Sequence, residues 1–463
     1  MPDRTMMIMI TDEQKKLKNE GLGYGVAGPT GLSWLFCMNS VLAGLGEYEV
    51  TAEEKAVLQQ LARKVAALAD LPVQEERKQL WKDHLSLKQT RPVIFIDPEQ
   101  AWFELLPHTV LQCRNKLARV WEYRLRKEIY WQENIGDDRV CRKEFSVQDI
   151  AFMGDFGLEM KRTGGGGGKA YHIEPSLNDY DTDLGKLHFR SLSVDRDTSA
   201  RIEAIAHDVF DGILTVTKEN GWWFSAGLSV DAIGLRGYEN FLYDTYDYPD
   251  ELKALMAFLR DDWLNMLAQL EKENLLSLNN GGEFTGTGGY GWCDELPAPG
   301  FDPKHVRPID MWGYCESQES VSISPDAFAE FVLPYQLPIL DKFGLNAYGC
   351  CEPLDKWIDI LMAKVPRFRK VTVSPWSDVR FMAEKLGPDH VFCWKMSAAY
   401  LAVPEIDEAE IRRQMRTAFD AAAEFGCPLE ILNRDIQTLA WNPYNAKRWV
   451  EIAREEGARM GGR

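Results

Sequence analysis

From Arg91 onward, short apolar runs recur between amphipathic helical segments, and this alternation restricts the possible folds more than any other feature. Residues 93–96, 213–216, 275–278, 311–314, 345–348, 371–373, 391–394 and 429–432 have the length and side chains of buried strands. Between them lie clear helices. The segment 250–274 follows Pro249 and repeats Leu252, Leu255, Met256, Leu259, Trp263 and Leu270 on one face. The segment 405–425 does the same with Ile411, Met415, Ala418, Phe419 and Ala422, and stops at Gly426. Strands joined through helices pair in parallel, and eight of them favour an α/β chain folded as a (β/α)₈ TIM-type barrel with insertions. No phosphate-cradling glycine motif follows any of the runs, which weakens a doubly wound nucleotide-binding sheet.

At 463 residues the chain exceeds the usual size of one core, and its 45% apolar and 11% aromatic content can fill a large one. The expected organisation is an N-terminal helical extension over residues 1–90 and a barrel over 91–463. The extension contains a helix over 51–69, with Glu53 and Glu54 in its first turn and Val57, Leu58, Leu61, Val65 and Leu68 at helical spacing. A glycine-rich segment over 21–31, followed by apolar residues 32–38, reads as a surface connection or a lid. The formal net charge is −18 with no basic tract, which disfavours nucleic acid and anionic membranes as partners. No apolar run of about 18 residues is present and the first residues lack a signal-peptide pattern, so a cytoplasmic protein is expected. Nine cysteines without paired spacing read as reduced thiols.

Chemically capable residues concentrate between Trp312 and Trp357. One apolar run ends in Cys315, Glu316, Gln318 and Glu319, and the next ends in Cys350, Cys351 and Glu352. Between them a helix is marked by Ser324 as cap, Pro325, the face Phe328, Phe331, Val332 and Tyr335, and Gly344 beyond its end. Ligands gather at the carboxyl ends of parallel strands, so these residues predict an active site. Lys395 and Arg434 fall at or just beyond two later strand ends, where they would orient an anionic substrate or form structural ion pairs. Trp312, Trp376 and Trp394, near strand ends, would line a pocket or fill the core. Two insertions interrupt the pattern. The run Gly164–Gly168 reads as a surface loop without the spacing of a P-loop. The glycine-rich stretch 279–308, with Phe284, Tyr290 and Trp292, reads either as a substrate wall or as a connection folded on its own aromatics.

Several of these residues carry a resemblance. Glu316-Ser317, Ser322-Ile323-Ser324-Pro325, Phe328, Phe331 and Pro334-Tyr335 resemble a strand and helix of the uroporphyrinogen decarboxylase-like superfamily. Arg91-Pro92-Val93 is similar to its first strand, and Leu432-Asn433-Arg434-Asp435-Ile436 through Asn442-Pro443 to its last strand and final helix. The resemblance covers about residues 91–460 and implies a (β/α)₈ barrel with its site at the strand carboxyl ends. Tyr348-Gly349-Cys350-Cys351 sits where the corrinoid methyltransferases of the superfamily carry His-x-Cys-Gly. The departures are specific. After the first strand this chain has Asp97 and Glu99 and no arginine to grip porphyrinogen carboxylates, which argues against porphyrinogen decarboxylation. The methyltransferase zinc site needs a histidine where this chain has Tyr348 and a late cysteine where it has Arg434. Zinc, which takes about four donors, would require a rebuilt site from Cys350 and Cys351 with Glu316, Glu319 or Glu352.

The resemblance implies a methyltransferase that demethylates a small methylated or methoxylated substrate toward a corrinoid protein. In that reading Glu316, Glu319, Glu352 and Arg434 are catalytic, while Trp312, Gln318, Tyr348, Trp376, Trp394 and Lys395 bind substrate. A partly buried carboxyl with a raised pKa would protonate the departing oxygen or nitrogen. Two alternatives remain: a lyase or decarboxylase of a small acid, and a non-catalytic ligand-binding barrel. A corrinoid-protein gene beside this one would favour methyl transfer, and its absence a lyase.

Overall fold

The computed structural model describes residues 48–158, 161–164, 171–220 and 225–460. The readings of residues 21–38 and of the glycine run beyond Gly164 fall outside them. Among the described residues no helix is long and apolar enough to cross a membrane.

Six of the eight expected strands form one sheet: β1 (Val93–Ile96), β2 (Trp312–Cys315), β3 (Leu345–Tyr348), β4 (Phe368–Val373), β5 (Val391–Lys395) and β6 (Leu429–Asn433). Their order is β1-β6-β5-β4-β3-β2, and every pairing is parallel. Every residue of β1, β2, β3, β5 and β6 is buried, because both faces of a parallel sheet are covered. Burial on both faces is why these runs are continuously apolar rather than alternating.

The expected closed eight-stranded barrel does not form among the described residues. Strands β1 and β2 are the sheet's two edges, where side chains and short irregular backbone segments take the place of further strands. Ile94 and Ile96 donate their N–H groups to Asp138 Oδ2 and Asp137 Oδ2 at 2.9 and 3.1 Å. On the opposite edge, Trp312 N–H donates to Asn279 Oδ1 at 2.8 Å and its carbonyl accepts from Asn279 Nδ2 at 3.0 Å. Ala226 N–H donates to the Tyr314 carbonyl at 2.9 Å. Buried peptide groups must be paired, and here the side chains of Asp137, Asp138 and Asn279 share that role with backbone from Asp138 and Ala226, Ser225 forming an isolated parallel bridge to Tyr314. The run at 275–278 is accordingly irregular. The run at 213–216 contributes only to Thr215–Lys218, which pairs with Glu144–Val147 in a separate two-stranded sheet.

The space within the sheet is filled by the glycine-rich insertion. Phe284 and Tyr290 pack against Phe95 of β1 at centroid distances of 5.7 and 4.9 Å. Thr287 Oγ1 donates to the Gly349 carbonyl at 3.1 Å, and Gly289 N–H donates to Glu430 Oε1 at 3.0 Å. The glycines are needed for this approach. A Cβ on Gly286 would lie inside the Tyr314 ring, and one on Gly289 would stand 2.5 Å from Trp81. Gly286 also has φ +62°, where a side chain is strained. Gly286→Ala is therefore expected to destabilise the protein by about 3 kcal/mol, read as a shifted midpoint in urea unfolding. A midpoint equal to wild type would mean that the loop does not hold this position.

Helices complete the layers. Pro249–Lys272 buries Leu252, Leu255, Met256, Leu259, Trp263 and Leu270, as its spacing predicts. Glu408–Phe425 starts at the Asp407 cap and ends at Gly426 in the left-handed region. The helix expected after Ser324 is two, Pro325–Phe331 and Leu333–Leu340. Pro334 cannot donate an N–H and clashes with the preceding turn, so the chain restarts its helix there. A second apolar cluster lies apart from the sheet core. It joins Leu58, Ala62 and Val65 of Ala52–Ala69 to Leu117, Trp121, Phe145, Ile202 and Phe210.

Candidate active site

Chain direction alone brings the carboxyl ends of β2 through β6 to one edge of the sheet, and the residues just past those ends form a polar mouth. From β2 come Glu316 and Glu319. Glu316 is 7% exposed and accepts from Ser225 Oγ at 3.1 Å; Ser225 Oγ itself accepts from Gly227 N–H at 3.1 Å. A Cβ on Gly227 would stand 2.5 Å from Glu316 Oε1, so glycine leaves the room the carboxyl needs. Glu319 accepts from Ser229 Oγ at 2.9 Å. From β3 comes Glu352, 1% exposed, which accepts the N–H groups of Ser317 and Cys350 at 2.9 and 3.0 Å and so ties the two strand ends together.

These three carboxyls share one physical situation. Burial pushes Glu316 well above the ordinary carboxylate value, and the negative charges of Glu319 and Glu352 push it further. Burial raises Glu352 to about 7, although the two N–H donors oppose the shift. Burial likewise raises Glu319. Burial thus favours the protonated form of each carboxyl along this wall, and of Glu316 most.

The wall built by β5 and β6 is ionised. Lys395 Nζ lies 2.5 Å from Asp435 Oδ2 and 3.7 Å from Cys351 Sγ. Burial works against a charged Asp435, yet Lys395 outweighs it and holds the carboxyl below its ordinary value. Arg434 is 6% exposed, pairs with Glu99 Oε1 at 2.9 Å, and donates to the carbonyls of Gly286 and Gly288, both at 3.3 Å. Its guanidinium also lies 4.4 Å from the Phe284 ring centroid. Asp97 and Glu99, expected from sequence only as acidic groups, thus include the direct partner of Arg434. Between the two walls stand Cys350 and Cys351, with their sulfurs 3.5 Å apart.

The structure gathers Glu316, Gln318, Glu319, Glu352, Cys350, Cys351, Lys395 and Arg434 at the mouth. It places the other expected residues differently. Trp312 opens β2, at the far end from Glu316, and donates its indole N–H to the Gly291 carbonyl at 3.0 Å in the core. Tyr348 is buried in a ring of hydrogen bonds behind the sheet: Ser317 Oγ at 2.7 Å and Gln336 Oε1 at 2.9 Å. Trp394 is 2% exposed within β5, whereas Trp376 is 74% exposed after β4. Strand phase explains the placements of Trp312, Tyr348 and Trp394, since successive side chains point to opposite faces and an apolar residue on either face looks the same in sequence, whereas Trp376 lies in the turn beyond β4. Sequence reading missed Ser225 and Ser229, which lie about 90 residues from the carboxyls they serve, and Gln336, which donates to the Glu316 backbone carbonyl and to Ser317 Oγ. Asp435 was legible as the neighbour of Arg434.

Among the described residues no three His, Cys, Asp or Glu side chains are grouped to hold a metal ion. Zinc at Cys350 and Cys351 would have two donors, short of the tetrahedral set.

No protein-family profile matches the sequence, and no curated protein matches it. A solved structure, a methyltransferase from Methanosarcina mazei, is similar with a TM-score of 0.46 at 12% sequence identity, over 82% of this chain and 98% of that chain.

Proposed function

We propose that the mouth is the active site of a demethylating methyltransferase, in which a protonated buried carboxyl drives departure of the methylated oxygen or nitrogen. The supporting observation is the carboxyl cluster: Glu316 is buried, raised well above its ordinary value, and flanked by Glu319 and Glu352. An alkoxide or amide anion is a poor leaving group, and a neutral carboxyl within reach removes that obstacle. A corrinoid carried by a partner protein would supply the nucleophile that accepts the methyl group. As the carbon–oxygen or carbon–nitrogen bond breaks, its electron pair stays on the heteroatom, which takes the Glu316 proton. Ser225 orients the carboxyl, and Glu319 and Glu352 keep it neutral before the proton leaves. Glu316 is reprotonated from water on product release. No step is routed through zinc, for want of a donor set.

The lyase reading needs a cation free to anchor a substrate carboxylate. Lys395 is already paired with Asp435 and Arg434 with Glu99, so that reading receives less support.

The test is methyl transfer from a panel of small methoxylated and N-methylated compounds to free reduced cobalamin, with a zinc chelator present. Turnover is expected at neutral pH and is expected to fall as pH rises, because the acid works only while protonated. The decline marks loss of the Glu316 proton, which ionisation of Glu352 near 7 opposes, because the added negative charge holds that proton on. Turnover that climbs through this range, or that the chelator abolishes, would contradict the acid-assisted mechanism.

A further inference from the structure

The mouth contains a pair of groups that the proposed reaction leaves unused. Cys350 and Cys351 are consecutive, unbonded, and 3.5 Å apart at sulfur. Among the described cysteines, Cys351 is the one that is not buried, so it is the sulfur a reagent reaches first. Two charged groups face its sulfur, Lys395 Nζ and Asp435 Oδ2, each at 3.7 Å; the ammonium steadies negative charge on sulfur and the carboxylate is placed to accept the thiol proton. Cys350 waits behind it, 6% exposed, shielded from solvent but within reach of Cys351.

We propose that Cys350 and Cys351 form a reversible oxidation site that closes to a vicinal disulfide by exchange with a low-molecular-weight disulfide such as glutathione disulfide. The Cys351 sulfur attacks one sulfur of the reagent, the reagent's S–S bond breaks, and one small thiol leaves. Cys350 then attacks the Cys351 sulfur of this mixed disulfide, expelling the second small thiol and giving up its proton to solvent. The protein loses two protons and two electrons, and the reagent takes up both pairs as its two thiols form, so the exchange balances.

Geometry also fixes the character of the product. Adjacent Cα atoms stand about 3.8 Å apart across a trans peptide, below the roughly 4.4 Å lower limit of ordinary disulfides. The bond is therefore strained and easily reduced, which suits a switch rather than a structural crosslink. Closing it would alter the part of the mouth where Lys395 and Asp435 face the Cys351 sulfur. The link to catalysis rests on the function proposed above, but formation of the bond does not.

The test uses the full-length reduced protein incubated with glutathione disulfide, digested and read by mass spectrometry. The peptide carrying both cysteines is expected to become lighter by two hydrogens, nearly completely, and to recover with dithiothreitol. Cys350→Ser should stop at a glutathione adduct on Cys351, and Cys351→Ser should leave Cys350 as a free thiol. Two free thiols in the treated wild type would overturn the proposal, as would an adduct that wild type accumulates to the same extent as Cys350→Ser. Disulfide formation in a protein that transfers no methyl group would leave this site standing and remove only the functional reading.

Discussion

Glu316→Gln is expected to lower the rate of methyl transfer by about 10²–10⁴-fold, the usual contribution of a positioned general acid. The substitution isolates the proton. An amide has nearly the shape of a carboxyl, keeps an oxygen for the Ser225 hydroxyl, and stands in for the neutral form that burial and the neighbouring carboxylates favour at Glu316. Fold stability should therefore be unchanged or slightly higher, while the proton to be donated is gone. Kinetics on Glu316→Gln beside a urea unfolding curve check both halves. A folded variant with near wild-type turnover would move the acid role to Glu352, the other deeply buried member of the cluster. Glu319→Gln is expected to have a smaller effect, since Glu319 acts on Glu316 through charge.

The second large effect is expected at the opposite end of the sheet. Glu430 of β6 is 1% exposed, lies 3.1 Å from Lys370 Nζ and 3.2 Å from His84 Nε2, and accepts from Gly289 N–H at 3.0 Å. Burial opposes its charge, but Lys370 and His84 outweigh burial and hold it at about 2. Burial in turn lowers His84. His84 is therefore read as neutral, donating from Nε2, and Lys370 balances the carboxylate. Glu430→Ala would strand a buried ammonium and free the loop's anchoring N–H, at a cost of about 3–5 kcal/mol. Replacing both partners, Glu430→Leu with Lys370→Met, should restore much of that stability, because the stranded charge is the larger part of the loss. A loss under about 1 kcal/mol in the single variant would show that the cluster is not the closed ion pair described here.

The two ends of the sheet respond to pH with opposite signs. Glu430, with its folded value near 2 against an ordinary 4.5, contributes stability that is present above 4.5 and lost as pH falls toward 2. Glu352, raised to about 7, contributes stability that is present below 4.5 and lost as pH rises through 7. The mouth is thus held protonated at the expense of stability in alkali, while the sheet's other end is held ionised at the expense of stability in acid. A carboxyl retained in its costly state beside other carboxyls is what an acid catalyst requires, and this asymmetry separates the two clusters better than burial does.

The sequence by itself determined the parts of this protein that depend on neighbours along the chain. Six strands, the long helix after Tyr248 with its buried face, and the Gly426 boundary follow from periodicity and capping, which act within a few residues, whereas the helix read from residue 405 starts only after the Asp407 cap. The presence of Glu316, Glu319, Glu352, Cys350, Cys351, Lys395 and Arg434 at strand ends was legible for the same reason. Tertiary structure decided whatever depends on pairing across the chain. Among the described residues the open edges of the sheet are met by Asp137, Asp138 and Asn279, whose side chains satisfy edge peptide groups more than 30 residues away in sequence. The role of the glycine-rich loop, the burial of Trp312 and Tyr348 away from the mouth, and the capture of Arg434 by Glu99 were settled in the same way. An apolar run states that it will be buried, but not which face it turns or what completes its hydrogen bonds. Those depend on which distant polar group can reach an unpaired N–H when the core closes.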